Sequence, residues 1–336
     1  MPHLRLNLAP PWPKLQFMTR KRLFIRANTL TFLLVPAFFF LCVYYLPAWR
    51  CPTDQPVFDG KYRLIVLILS SPNNLKRRDT IRKTWLADYS YGGMVKYFFA
   101  IGTHDILPEQ GNTLQSEKDK FDDLLLLPTL HDSYVTLTKK VLYALRNIHE
   151  YYNFDFLLKC DDDSYVLIHK ILKELDQWQS KGTRRELYWG FFNGRAQVKR
   201  NGPWKESDWI LCDYYLPYAL GGGYILSYNI IKFIASNADV LKLHNSEDVS
   251  VGLWLAPLTN IERKHDVRFD TEYRSRGCSN QYIITHKQTV QSMRNMHEHY
   301  QTFGALCRKE VRNRMSYRYN WTALPSQCCN RQPGIP

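Results

Sequence analysis

The first 26 residues hold no aspartate or glutamate, and the next 20 hold no charge of either sign. No C-x-x-C pair occurs among the eight cysteines, so a structural zinc site is disfavoured. Glycine and proline number only 16 and 17 in 336 residues, which excludes a collagen-like chain. The cysteines are spread too thinly for a small disulfide scaffold, and no internal repeat or low-complexity tract is present. Apolar residues make up 45 %, which excludes disorder throughout. The length allows one or two domains of roughly 150 residues each. Basic residues exceed acidic ones by 14. Such an excess fits nucleic acid, an anionic membrane surface or a phosphorylated small molecule.

Position along the chain divides that charge. Arg5, Lys14, Arg20, Lys21, Arg22 and Arg26 precede the uncharged run 27–46, ANTLTFLLVPAFFFLCVYYL. Twenty residues at about 1.5 Å each can cross a hydrocarbon core of about 30 Å. Pro36 is tolerable there, and Tyr44, Tyr45 and Trp49 form a partial aromatic belt at its far end. Positive charge before the span predicts a cytosolic tail (1–26), a signal-anchor (27–46), a short stem (47–61) and a folded part (62–336) in a secretory lumen. A cleaved signal peptide or a buried helix are the alternatives; the long, Phe- and Tyr-rich run suits an anchor better. Beyond the span lie Cys51, Cys160, Cys212, Cys278, Cys307, Cys328 and Cys329. An oxidising lumen would pair most of them, but seven is odd, so one stays free or bonds another chain, with Cys51 a candidate. The single N-x-[ST] triplet, Asn320-Trp321-Thr322, would be a surface glycosylation site in that compartment.

After the stem, strands and helices alternate. Leu64–Leu69 is a continuous apolar run, as in a strand covered on both faces. A basic helix over 75–86, a strand over 97–101, a polar helix over 113–122 and a short strand over 124–127 follow. Asp132 or Ser133 can cap a helix running to about Tyr152. A strand over 154–160 leads into Asp161-Asp162-Asp163 and a helix to about Trp178. This order predicts an α/β domain with a mainly parallel sheet. The second half is less regular.

Several groups carry chemistry. Ligands of open α/β sheets bind beyond the carboxyl ends of strands, where Asp161–Asp163 fall. Three adjacent carboxylates repel, and a hard cation such as Mg²⁺ or Mn²⁺ relieves the repulsion. Strand alternation points Asp161 and Asp163 one way and Asp162 the other. A solvated acidic loop with a helix cap is the competing reading. Arg78 and Arg82, with Arg77 and Lys83, share a helix face that could meet a diphosphate or uracil, or simply water. Glu247 and Asp248 open an apolar stretch and are either a capped helix start or the source of a general base. His286 ends the run YIITH and is either a core residue or a ligand. Gly221–Gly223 allow close backbone approach, or only a flexible turn.

Taken in order, these pieces resemble the β-1,3-glycosyltransferase family that uses nucleotide-sugar donors (glycosyltransferase family 31). Arg78-x-x-Ile81-Arg82-x-Thr84-Trp85, Asp132-Ser133-Tyr134 with Leu137-Thr138-x-Lys140, Asp161–Asp163, Gly221–Tyr224 and Glu247-Asp248-Val249 match its motifs in register, over roughly residues 62–330. Val135-Thr136 depart from the family's usual Asn in the second block, so a glycan there is absent. The stretches 211–220, 268–281 and 325–329 narrow the resemblance to the member that adds the second galactose of the proteoglycan linker. The resemblance implies a GT-A fold, UDP-galactose as donor, Gal-β1,4-Xyl-O-Ser of core proteins as acceptor, Mn²⁺, and the Golgi membrane as location. Other linker-synthesis enzymes are implied partners, and nucleic acid is not one. It also implies Asp163, His286 and Asp161 at the metal, with Asp161 facing the ribose. Arg78, Arg82 and Asp162 fall on the UDP-sugar side and Asp248 is the catalytic base. Glu247, Gly222 and Tyr224 are acceptor-side candidates. Cys160 stands where a small inert residue is more usual. A donor such as UDP-N-acetylglucosamine, or a non-catalytic lectin of the same fold, is the rival expectation.

Overall fold

Both faces of the run Leu64–Leu69 are covered, and every side chain in it is essentially buried. It forms β1 (Tyr62–Leu69) at the centre of the larger sheet. The computed structural model describes residues 61–87 and 93–335, so the expected tail, span and nearly all of the stem lie outside the described residues. None of the described helices is long and apolar enough to cross a membrane.

In chain order, β1 is followed by α1 (Leu75–Lys83), β2 (Val95–Gly102), α2 (Pro108–Phe121), β3 (Leu124–Leu127) and α3 (Leu137–Tyr151). Next come β4 (Phe154–Asp161), β5 (Tyr165–Val166), α4 (Ile168–Ser180), β6 (Glu186–Asn193), β7 (Tyr218–Ser227), α5 (Tyr228–Ser236) and α6 (Glu247–Leu255). The chain closes with β8 (Ile261–His265), β9 (Phe269–Asp270), β10 (Gly277–Cys278), β11 (Ile284–Thr285), α7 (Val290–Phe303) and β12 (Val311–Arg312). The expected α/β alternation of the first half is therefore present. Helix α3 begins after a short 3-10 turn over Tyr134–Thr136, with Ser133 at its cap. Asp132 does not cap it. Its Oδ2 instead accepts from the Gly102 amide at 3.0 Å and from Lys140 Nζ at 2.7 Å.

The large sheet has seven strands in the order β3-β2-β1-β4-β7-β6-β8. All run the same way except β7, which is antiparallel to β4 and to β6. The sheet is thus mainly parallel, with one reversed strand inserted beside β4. That reversal positions the site. The carboxyl end of β4 pairs not with the end of its neighbour but with its middle, Cys160 opposite Gly223 and Lys159 opposite Tyr224. A smaller sheet, β5-β11-β9, sits beyond the same end of β4 and carries His286 directly after β11.

The glycine triplet is therefore not a turn. It lies within β7, and its missing side chains make room for others. A Cβ on Gly222 would stand 2.7 Å from the His286 ring, and one on Gly221 would stand 2.8 Å from Glu247 Oε1. Close backbone approach is what the glycines supply, to neighbouring side chains of the same chain.

Two disulfides occur among the described residues, Cys278–Cys307 and Cys328–Cys329, leaving Cys160 buried and Cys212 exposed as free thiols. Burial pushes the Cys160 thiol far above its ordinary range, which makes it inert as a nucleophile.

Candidate active site

The strand β4 ends in Lys159-Cys160-Asp161, and strand alternation sends Lys159 and Asp161 to one face and Cys160 to the other. Asp162 and Asp163 follow in the turn. Asp161, Asp163 and His286 each offer a donor atom, and these atoms lie within 4.8 Å of one another. His286 Nε2 is 2.8 Å from Asp163 Oδ1 and 3.4 Å from Asp161 Oδ2. Yet neither ring nitrogen of His286 nor Asp163 Oδ1 is engaged in an aligned hydrogen bond, although all three are buried. Buried polar atoms are seldom left so. Donors that crowd together out of hydrogen-bond alignment fit a shared cation. Two carboxylates and an imidazole suit a divalent ion such as Mn²⁺.

His286 is held in place from behind. Gly222 leaves room for its ring, its amide donates to Asp270 O at 3.0 Å, and the next residue, Lys287, adopts a left-handed φ of 63°. That backbone conformation is costly for a lysine and is of the kind concentrated at functional sites. Burial disfavours charge on the ring, but the carboxylates of Asp161 and Asp163 outweigh it and push His286 up to about 9. The same proximity, against burial, holds Asp163 below its ordinary value. For Asp161, burial is overcome first by the Lys159 ammonium and then by His286, and its pKa is also depressed.

Asp162 faces the other way, as alternation predicts. Its Oδ2 accepts from Ser70 Oγ at 2.8 Å and Asn74 Nδ2 at 2.7 Å, and Arg77 Nε lies 3.8 Å from its other oxygen. It therefore fastens the triplet to the β1–α1 turn, and burial raises its pKa.

Asp248 lies in the first turn of α6, half-buried. Its Oδ2 accepts from the Gly221 amide at 2.9 Å, while Oδ1 accepts from Ser246 Oγ at 2.7 Å and from the Val249 amide at 2.9 Å. Burial raises its pKa although these donors oppose the shift. A partly accessible carboxylate with raised proton affinity is the character a general base needs.

Other expected site residues have different employment. Arg78 is fully buried and gives two hydrogen bonds to Glu117, at 2.8 and 2.7 Å, and one to Ser71 O at 2.6 Å. Arg82 binds Asp123 through two nitrogens at 2.7 and 2.8 Å and Glu117 at 2.6 Å, and stacks on Phe121 at 4.1 Å. Both guanidinium groups pin α1 to α2, Arg82 also holds Asp123 just before β3, and neither is a solvated face or a free phosphate ligand. Glu247 and Tyr224, expected on the acceptor side, are buried and bonded to each other, the Tyr224 hydroxyl donating to Oε2 at 2.9 Å. Gly222 packs against His286, and its carbonyl accepts from Ser164 Oγ at 2.7 Å. All three support the site from beneath. Asn320 is exposed, with Thr322 Oγ1 donating to its side chain at 2.7 Å.

The residue that sequence reasoning missed is Lys159. Its ammonium is buried, yet it donates to Asp161 Oδ1 at 2.9 Å, to Gly221 O at 2.6 Å and to Glu247 Oε1. It links the Asp161 end of β4, the glycine strand and the helix bearing Asp248. The available signal was a lysine two residues before Asp161 inside an otherwise apolar strand, hence on the same face. Glu247 is pushed up to about 7, first by burial and then by Asp248 and Asp161, even with Lys159 opposing.

The family profile described as Galactosyltransferase matches residues 76–267, more than half the chain. The mouse (Mus musculus) protein named Beta-1,3-galactosyltransferase 6 is 48 % identical over 300 residues, 87 % of this chain and 92 % of that one. Its likeness extends the resemblance noted above from the family to that member. The Arabidopsis thaliana hydroxyproline O-galactosyltransferase GALT2 is 31 % identical over 73 % of this chain, but this chain spans only 35 % of it. Human UDP-GalNAc:beta-1,3-N-acetylgalactosaminyltransferase 2 is 33 % identical over 45 % of the chain and 30 % of its own length. Among solved structures, a Pyrobaculum calidifontis mannosyltransferase in complex with GDP-Man and Mn²⁺ aligns over 72 % of this chain and 65 % of its own, at 9 % identity and a TM-score of 0.37. A likeness that distant carries no argument about this site.

Proposed function

This chain belongs to the galactosyltransferase family, and we propose that it is an inverting β-1,3-galactosyltransferase of GT-A type. It moves galactose from UDP-galactose to Gal-β1,4-Xyl-O-Ser of proteoglycan core proteins, as a single-pass type II enzyme of the Golgi lumen. The observation that carries the mechanism is the pairing of two carboxylate stations on separate chain segments. Asp161 and Asp163 join His286 at one, Asp248 stands at the other, and Lys159 ties the first to the helix that bears the second. The identity with the mouse protein along nearly its whole length supports galactose as the transferred sugar and a β1,3 linkage.

Asp161, Asp163 and His286 would hold a divalent cation, which when bound neutralises negative charge on the departing diphosphate. Asp248 accepts the proton of the acceptor 3-hydroxyl as its oxygen attacks the anomeric carbon. The bond from that carbon to UDP breaks with its electron pair leaving on UDP. Attack opposite the leaving group converts the α-linked donor to a β1,3 product in one displacement. Gly221, through its amide, fixes the orientation of the Asp248 carboxylate. Lys159 keeps Asp161 ionised and ordered from below.

The test is transfer to a Gal-β1,4-xyloside from UDP-galactose, UDP-N-acetylglucosamine and UDP-N-acetylgalactosamine in parallel, with and without Mn²⁺. Turnover with UDP-galactose alone is expected. Turnover only with an N-acetylated donor would overturn the donor assignment. Asp248→Asn should lose about 10²-fold or more in kcat while still binding UDP. Retention of full activity would refute the base and favour a non-catalytic role.

A further inference from the structure

Beside the metal-ligand group lies a cavity of about 500 Å³ lined by Tyr273, Arg274, Ser275, Asn313 and Arg314. Lys287, the residue after His286, connects the two places. Its ammonium is 3.7 Å from Asp163 Oδ2 and 5.8 Å from the centroid of the Tyr273 ring.

The cavity is cationic beyond what its own acids balance. Arg274 makes no ion pair or hydrogen bond with any described residue. Arg314 lies 3.6 Å from Glu272, but that carboxylate also binds Arg331 and stands 3.6 Å from Arg276. One carboxylate thus faces three guanidinium groups. Asp270 balances only Arg276, at 3.2 Å.

The wall that carries these groups is rigid. Asp270 accepts from the Arg276 amide at 2.9 Å and from the Ser275 hydroxyl. Gly277, at φ +121°, lets β10 pass so close to β12 that a Cβ would stand 1.9 Å from Val311 O, and Cys278 is bonded to Cys307. On this fixed frame Tyr273 is 71 % exposed, touched edge-on by Trp204 at 6.1 Å. An exposed aromatic and an unpaired arginine held on a stiff frame mark a binding surface.

We propose that this pocket receives an acidic side chain of the peptide to which the acceptor sugar is attached, with Tyr273 as the apolar platform between sugar and peptide. The inference rests on the acceptor class proposed above. Galactose and xylose carry no charge, so the two guanidinium groups of this cavity would find no partner in the sugar itself. The donor's anion, the diphosphate, belongs with the cation station. The remaining source of negative charge is the peptide.

The experiment compares a neutral aryl Gal-β1,4-xyloside with the same disaccharide on a serine peptide rich in glutamate. The wild-type enzyme should prefer the acidic glycopeptide, and the preference should shrink as salt is raised. Arg274→Gln with Arg314→Gln should lower the ratio of kcat/KM, acidic over neutral, by about five- to tenfold. Both side chains are at the surface, so folding is not at stake, and Tyr273→Ala provides a second variant in the same wall. An unchanged ratio, or a rise in the KM for UDP-galactose in place of the ratio change, would overturn the proposal. Binding of the unglycosylated glutamate peptide, followed by Trp and Tyr fluorescence, separates this idea from the acceptor reading. If no glycoside is a substrate but the wild type binds the peptide and the double variant does not, the acceptor reading fails and the pocket assignment stands. If neither binds it, the pocket assignment fails.

Discussion

Replacing Lys159 by methionine removes one ammonium and leaves three acceptors facing a similar volume of hydrocarbon. Asp161, Gly221 and Glu247 all lose a donor, and Glu247 is the one of the three that is buried, while the Asp161 side chain is 32 % exposed. Breaking a buried ion pair by deleting one partner costs about 3–5 kcal/mol. For a chain of this size that is roughly 2 °C of melting temperature per kcal/mol, so a fall of about 6–10 °C. The pH dependence has a definite sign. Glu247 has a folded pKa near 7, raised above its unfolded value by burial first. A raised folded pKa means that its contribution to stability is present below the unfolded value near 4.5 and is lost as pH rises through about 7. Lys159 opposes the rise, so without it the loss deepens above neutrality. Its own pKa is raised by Asp161 and Glu247 despite burial, so its contribution holds throughout the neutral range. The assay is thermal unfolding of wild type, Lys159→Met, Glu247→Gln and the double variant between pH 5 and 8. The double variant should be less destabilised than the sum of the singles by about 2 kcal/mol or more, because a neutral pair no longer strands a buried charge. Additive effects, or a Lys159→Met melting point within 2 °C of wild type, would refute the linkage.

Gly222→Ala should weaken Mn²⁺ binding with the fold retained, because its Cβ would meet the His286 ring at 2.7 Å; titration followed by thermal shift reads this directly. Adding Mn²⁺ at about 100 times its dissociation constant should stabilise the wild type by about 2.7 kcal/mol and His286→Ala far less, and equal shifts would count against the three-ligand site. Arg78→Leu should destabilise by about 1–3 kcal/mol, because Glu117 is left with Arg82 alone and Ser71 O loses its donor, and Arg78→Leu with Glu117→Leu should recover part of it. The double variant should keep the wild-type KM for UDP-galactose; a large rise would return Arg78 to the donor site.

The first half of the fold was legible because its strands are short apolar runs separated by helical periods, and such runs announce themselves locally. The direction of β7 was not. Nothing within Tyr218–Ser227 encodes whether it runs with or against β4; the connection and the packing of α5 decide it. The chemistry divides in the same way. Asp161, Asp163 and Asp248 stand out because carboxylates at strand and helix ends are conspicuous. The partners of Arg78 and Arg82 lie 35 to 41 residues further on, in a helix and a strand start with no outward sign of pairing. Lys159 was hidden by its company: one cation in an apolar strand looks like a strand edge until the opposite strand supplies its acceptors.

The reversal of β7 has an evolutionary consequence. Because β7 begins at the end of the sheet where β4 finishes, the 194–217 segment leaves from Asn193 and returns at Tyr218, residues paired across β6 and β7. Trp204, within that segment, reaches Tyr273. The segment's buried anchors, Val198, Trp209 and Tyr215, pack with Val249 of α6, and Glu206 accepts from the Asn245 amide, so the freedom to vary lies in its exposed residues. Change can therefore fall on the exposed residues around Trp204 while the strand order and the Asp161–Asp163–His286 group stay as they are.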